Sequence, residues 1–109
     1  MTSLPSRDRP VSFRTTVHGL VFGARSSLLT DLAVGEPLVL IPDPPSEEEP
    51  AVWVHLRAGD PVGHLPPEIS SWLAPWLLHG GGASAVAVKI GGSEVPSWKR
   101  LVIEVVVSD

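Results

Sequence analysis

Apolar and polar residues alternate with a period of two from Phe13 to His18, Phe13, Thr15 and Val17 against Arg14, Thr16 and His18. That pattern predicts a half-buried strand ending at Gly19, with Leu20-Val21-Phe22 prolonging it after a glycine kink. Leu28, Leu29 and Leu32 lie at helical spacing behind Ser26 and Ser27, enough for a single helical turn. After Gly35, the unbroken apolar run Leu38 to Ile41 has strand length and reads as buried on both faces. Ala51 to Leu56 and Pro61 to Leu65 then form a hairpin around Arg57-Ala58-Gly59-Asp60, where Gly-Asp supplies the turn chemistry.

The period changes from two to 3.6 at Pro67. Proline suits the first helical position and Glu68 the positive end of the helix dipole, and Ile69, Trp72, Leu73, Trp76 and Leu77 make one apolar face. Pro75 removes a backbone donor and crowds the carbonyl four residues earlier, which predicts a kink or restart near Ala74; Gly80-Gly81-Gly82 ends the helix. Two β-branched strands follow, Ala85 to Ile90 and Leu101 to Val107, with Pro96 and Trp98 in the loop between them. About six strands and one helix make this a mainly β chain: a small, partly open OB-like barrel, or else a compact β-sandwich.

Two stretches stand outside the periodic pattern. Met1 to Pro10 mixes serine, proline and alternating charge and reads as a flexible N-terminal tail, leaving residues 11–109 as a single domain. Pro42 to Pro50 holds four prolines and three consecutive glutamates, a density of proline that suits neither a strand nor a helix, so it reads as an acidic surface loop.

Composition narrows the possible functions. A chain of 109 residues, 43 % hydrophobic and 18 % charged, has the make-up of a folded domain rather than a disordered one. Without cysteine it has no disulfide and no thiolate zinc site. No apolar run is long enough to span a bilayer and no leader is evident, so a cytoplasmic protein without membrane contact is expected. The net charge of −4 disfavours general attraction to a phosphate backbone, which needs clustered cations. A local pocket for a strand end needs only a few donors and a stacking surface, and escapes that objection.

Catalytic chemistry has no anchor. His18, His55, His64 and His79 lack HExxH spacing, and no GxSxG elbow, phosphate loop or GxGxxG motif occurs. Glu47-Glu48-Glu49 reads as a solvated run rather than a cation site. No enzyme, metal or cofactor is expected. Among the four tryptophans, Trp72 and Trp76 sit on the helix's apolar face and Trp53 points away from Val52 and Val54. Trp98, beside Lys99 and Arg100, has the setting that best suits a nucleic acid, or else anchors a loop over the end of the barrel.

One ordered set of landmarks runs through nearly all of Phe13 to Val107. It comprises Val17-x-Gly19 with Phe22 and Arg25, then Gly35-Glu36-Pro37-Leu38, and Asp43-Pro44 opening the acidic loop. Ala51-Val52-x-Val54 follows, and Val62-Gly63-His64-Leu65-Pro66 precedes a helix that starts Glu68-Ile69. In this order the chain resembles the HIRAN domain, as a small stand-alone bacterial-type member. The resemblance implies an OB-like fold and, as in helicase-linked members, a pocket for the 3′ end of single-stranded DNA, with a helicase or nuclease as partner. It places Val21 and Phe22 where the family has pocket aromatics, Phe22 stacking a terminal base. Glu49, or Glu48 if the loop gap falls elsewhere, stands for the acid that accepts a hydrogen bond from the terminal hydroxyl; His64 lines the pocket and Arg25 meets a phosphate.

The chain also departs from that pattern. The family's usual Asn-Pro-Tyr-Asp-Pro-Asn loop is replaced by Ser46-Glu47-Glu48-Glu49-Pro50, one residue shorter, and a basic residue often found after Gly-His-Leu is Pro66 or Pro67. The acidic loop and the missing cation motivate a second reading, a protein-interaction or accessory domain that keeps the fold without binding DNA ends.

Overall fold

The computed structural model describes residues 11–19, 32–44, 48–57, 59–92 and 94–108, and among these described residues the patterning builds six strands and two helices. The order is β1 (Ser12–Thr16), β2 (Pro37–Pro42), β3 (Val52–Leu56), β4 (Pro61–His64), α1 (Pro67–Leu78), β5 (Gly82–Ile90), α2 (Ser97–Arg100) and β6 (Leu101–Ser108). The predicted tail over 1–10, the prolongation through Leu20, Val21 and Phe22, and all but Leu32 of the predicted turn over 26–32 lie outside the described residues.

All six strands form one antiparallel sheet in the order β1-β6-β5-β2-β3-β4. Register shifts between Val54 and His55 on β3 and between Ala87 and Lys89 on β5 add local twist, and the sheet curls into the half-barrel of an OB-like fold. Period-two patterning decides which side faces in. On β6, Leu101, Ile103, Val105 and Val107 are buried, while Val106 and Ser108 are exposed. On β3, Val52 and Val54 face the same core.

The helix lies on the concave side, against β2, β3 and β5. Leu73 and Ala74 are fully buried among the inward strand residues, and Phe13 meets the Trp72 ring edge-on at 5.7 Å. Burying a leucine of this kind contributes roughly 1.5–3 kcal/mol. Gly80 ends α1 at a φ of 96°, a left-handed conformation open to glycine at little cost. Its N–H reaches the Leu77 carbonyl and that of Gly81 the Trp76 carbonyl, the paired bonds of a Schellman turn.

Three local expectations fail for identifiable reasons. The run Leu38 to Ile41 is not buried on both faces: Val39 and Ile41 point to the outside of the curl and each keeps 41 % exposure. Of the kink or restart expected near Ala74, the restart does not occur: the helix continues through Pro75 as one element. The carbonyl that loses its partner there belongs to Ser71, an exposed residue, so water can replace the missing donor. Finally, the segment predicted as a loop around Trp98 contains the short helix α2, opened by Pro96.

Candidate functional site

The two edges of the sheet meet at one point. Beyond β1 the chain stays extended, and the Val17 N–H donates to the Leu101 carbonyl on β6. One residue later, His18 and His64 exchange both backbone bonds, N–H to carbonyl at 2.8 Å in each direction, as a single antiparallel bridge. That bridge closes the circuit from β1 round to β4. It holds the two imidazoles edge to face at 6.4 Å, and the His18 ring nitrogen Nε2 lies 3.1 Å from the Thr16 hydroxyl.

The His64 ring is clamped on several sides. Trp53, its cross-strand partner on β3, presents its indole at 5.4 Å and 74°. Gly19 passes so close that a Cβ there would sit 2.6 Å from His64 Cδ2, and its φ of 70° is one that glycine accepts readily. Nδ1 lies 3.1 Å from the Leu65 carbonyl; because a carbonyl only accepts, Nδ1 carries a proton in this arrangement.

Asp43 closes the neck of the acidic loop. Its N–H donates to the Ala51 carbonyl, and its carboxylate accepts from the Ala51 N–H at 2.9 Å and from Trp53 Nε1 at 2.8 Å. One carboxylate thereby ties the loop's exit to the indole that braces His64. Below it, the buried Ser70 hydroxyl accepts from the Val52 N–H and donates to the Leu65 carbonyl, fixing α1 to β3 and to the end of β4.

Asp43→Ala removes both side-chain bonds at the neck, and bonds to a charged acceptor contribute about 1.5–3 kcal/mol each when shielded. With the carboxylate half-buried, the expected loss is about 2 kcal/mol in urea unfolding, together with altered amide shifts at Glu48 and Glu49. An unchanged midpoint and unchanged shifts would show that the neck holds without Asp43.

These supports enclose a hollow of about 390 Å³. Glu48, Glu49 and Pro50 form one wall, His64 and Leu65 another, and Pro67, Ser70 and Ser71 of α1 the third. Its size lies within the range of about 300–1,000 Å³ usual for small-ligand pockets. Neither lysine nor arginine is among the described lining residues, whereas both exposed glutamates are.

Of the residues expected at a site, Glu49 and His64 therefore come together, with Glu48 beside them. Trp98 does not join them: it is carried by α2 on the approach to β6, with 52 % of its surface exposed and Lys99 Nζ 4.8 Å from its ring centre. Val21, Phe22 and Arg25 lie outside the described residues. Among the described residues no cluster of three metal-ligating side chains occurs, and no helix is long and apolar enough to cross a membrane.

No family model matches the chain, and no curated protein sequence does either. In structure it is similar to the HIRAN domain of human HLTF, at a TM-score of 0.63 over 88 % of this chain and 74 % of that one, with 22 % sequence identity. The chain has a HIRAN fold.

Within that HIRAN fold, the hollow sits where the sheet's edges meet, and four of its organising residues escaped sequence reasoning. In the sequence His18 is one of several scattered histidines, and Gly19 marks a strand end and a family landmark without showing its approach to His64. Asp43 was read only as the start of a loop, although an Asp-Pro pair opposite a Trp two residues past the loop's exit is the signal that would have found the clasp. Ser70, polar on an otherwise apolar face of α1, was legible as a buried hydrogen-bonding group once the helix was drawn.

Proposed function

We propose that the chain is a non-catalytic nucleic-acid-binding module, built from residues 11–109, that recognises the 3′ end of single-stranded DNA. One observation carries the reading: His64 and the Glu48–Glu49 wall face one hollow at the closing point of a HIRAN fold. A glutamate on that wall accepts a hydrogen bond from a terminal hydroxyl, a role an anion fills without meeting a phosphate. Val21 and Phe22 supply the stacking surface, Arg25 the phosphate contact, and Trp98 an accessory aromatic beside Lys99. A helicase or nuclease that exposes such ends is the partner this reading implies, in the cytoplasm.

The test compares a fluorescent oligonucleotide ending in a free 3′ hydroxyl with the same strand blocked by a 3′ phosphate. The free end should bind about tenfold more tightly, equivalent to about 1.4 kcal/mol, and His64→Ala should remove the difference. Because only one or two phosphates are engaged, the salt dependence should be shallow, a logarithmic slope of about −0.7 to −1.4. Equal affinity for both ends would sink the end-pocket reading.

A second reading has its own observation. Two glutamates and no described lysine or arginine line the hollow, which suits an accessory domain that docks protein instead of DNA.

A further inference from the structure

The hollow beside His64 does not stop at the first turn of α1. A second hollow of about 330 Å³, lined by Pro50, Ser71, Pro75, Leu78 and His79, shares Pro50 and Ser71 with the first. Together they make one trough along the helix from Pro67 to Leu78, roughly 17 Å long at the helical rise of about 1.5 Å per residue. That length matches an extended segment of about five residues at about 3.3 Å each.

Its chemistry is divided along its length. The far half is mainly apolar, floored by half-buried Pro50 and Pro75 and by Leu78 at 37 % exposure, with the exposed Ser71 and His79 also lining it. The near half is bordered by exposed Glu48 and Glu49, and no lysine or arginine lines either half among the described residues. On a chain of net charge −4, such a trough attracts a cationic chain, whereas a polyanion is accepted only where an uncharged group such as a terminal hydroxyl meets the glutamates. Proline on both walls adds rigidity, so little is lost to ordering when an occupant arrives.

We propose that this trough docks an extended, basic and apolar peptide segment of a partner protein, a lysine or arginine meeting Glu48 and Glu49 and an apolar side chain filling the hollow at Pro75 and Leu78. The inference does not need strand-end binding at His64, although both occupants would use the Glu48–Glu49 wall and would compete there; the hollow at Pro75 and Leu78 belongs to the peptide alone.

The experiment titrates the ¹⁵N-labelled chain with a hexapeptide of alternating leucine and lysine, and separately with its leucine–glutamate counterpart. The lysine peptide should shift Glu48, Glu49, Ser71, Leu78 and His79, and the glutamate peptide should not. Glu48→Gln with Glu49→Gln should weaken binding at least fivefold, and Leu78→Ser at least threefold; both changes are at exposed positions that leave the core intact. Equal shifts with both peptides, or shifts confined to other surfaces, would overturn the proposal. So would a hexathymidine that moves Ser71, Leu78 and His79 more strongly than the lysine peptide, since the trough would then be a nucleic-acid path. Loss of 3′-end preference in the oligonucleotide assay would leave the peptide result unaffected, and the reverse also holds.

Discussion

Leu73→Ala should lower the free energy of unfolding by about 3 kcal/mol, within the range of about 2–5 kcal/mol for a buried leucine that leaves a cavity. Leu73 has no exposed surface and sits at the middle of α1, between the helix and the concave side of the sheet. Its neighbours come from strands held by their own ladders, so they cannot collapse into the space. For a domain of about 100 residues each kcal/mol shifts the melting temperature by about 4–8 °C, and the expected fall is therefore about 12–24 °C. Urea unfolding should show a lower midpoint with an unchanged slope. Leu78→Ala, on the same helix but 37 % exposed, serves as the control and should cost less than about 1 kcal/mol. Similar losses for both variants would mean that α1 is not seated as described.

Gly19→Ala should be nearly as damaging, and its damage should fall on the site. Two costs combine. The backbone at φ 70° costs an alanine about 1–2 kcal/mol, and the new Cβ would sit 2.6 Å from His64 Cδ2 and 2.7 Å from Nε2. The ring must move, yet Trp53 stands against it and the His18–His64 bridge holds its backbone. A total of about 3 kcal/mol is expected, with displaced ring-proton signals for His64 and no remaining preference for a free 3′ hydroxyl. Gly35→Ala isolates the first cost: its φ is 91° and nothing lies within 4 Å of the added Cβ, so only the backbone penalty applies. If both variants lose the same stability and the His64 signals stay in place, Gly19 does not press on the ring.

Such predictions show where sequence reading succeeds and where it stops. The hairpin from β3 to β4, the proline start of α1 and the alternation along β6 were all legible, because each depends on residues within a few positions of one another. The double burial expected of β2 failed because an apolar run does not say whether a second layer covers its outer face. Continuity of α1 through Pro75 turned on whether the freed Ser71 carbonyl faces water, which no periodicity records.

The candidate site divides in the same way. His64 and the glutamate of the loop were named from an ordered set of landmarks, and they do share a hollow. Trp98 was named from its charged neighbours alone, and the fold sets it on α2, outside the lining of that hollow. The support that four other residues give His64 is not legible in the sequence: His18 and Gly19 come from just beyond the first strand, Asp43 from the loop's entrance and Trp53 from beyond its exit.

By itself, then, the sequence determined a mainly β chain with one main helix, the side of most strands that turns inward, and the residue types available for an uncharged or anionic pocket. Those follow from local periodicity, turn chemistry and composition. Only the tertiary structure decided that the sheet closes between His18 and His64, and that Asp43, Trp53 and Ser70 brace the hollow beside that closure. The physical reason is that closure depends on how far bulges and twist curl the whole sheet, a sum over every strand that no short stretch of residues encodes.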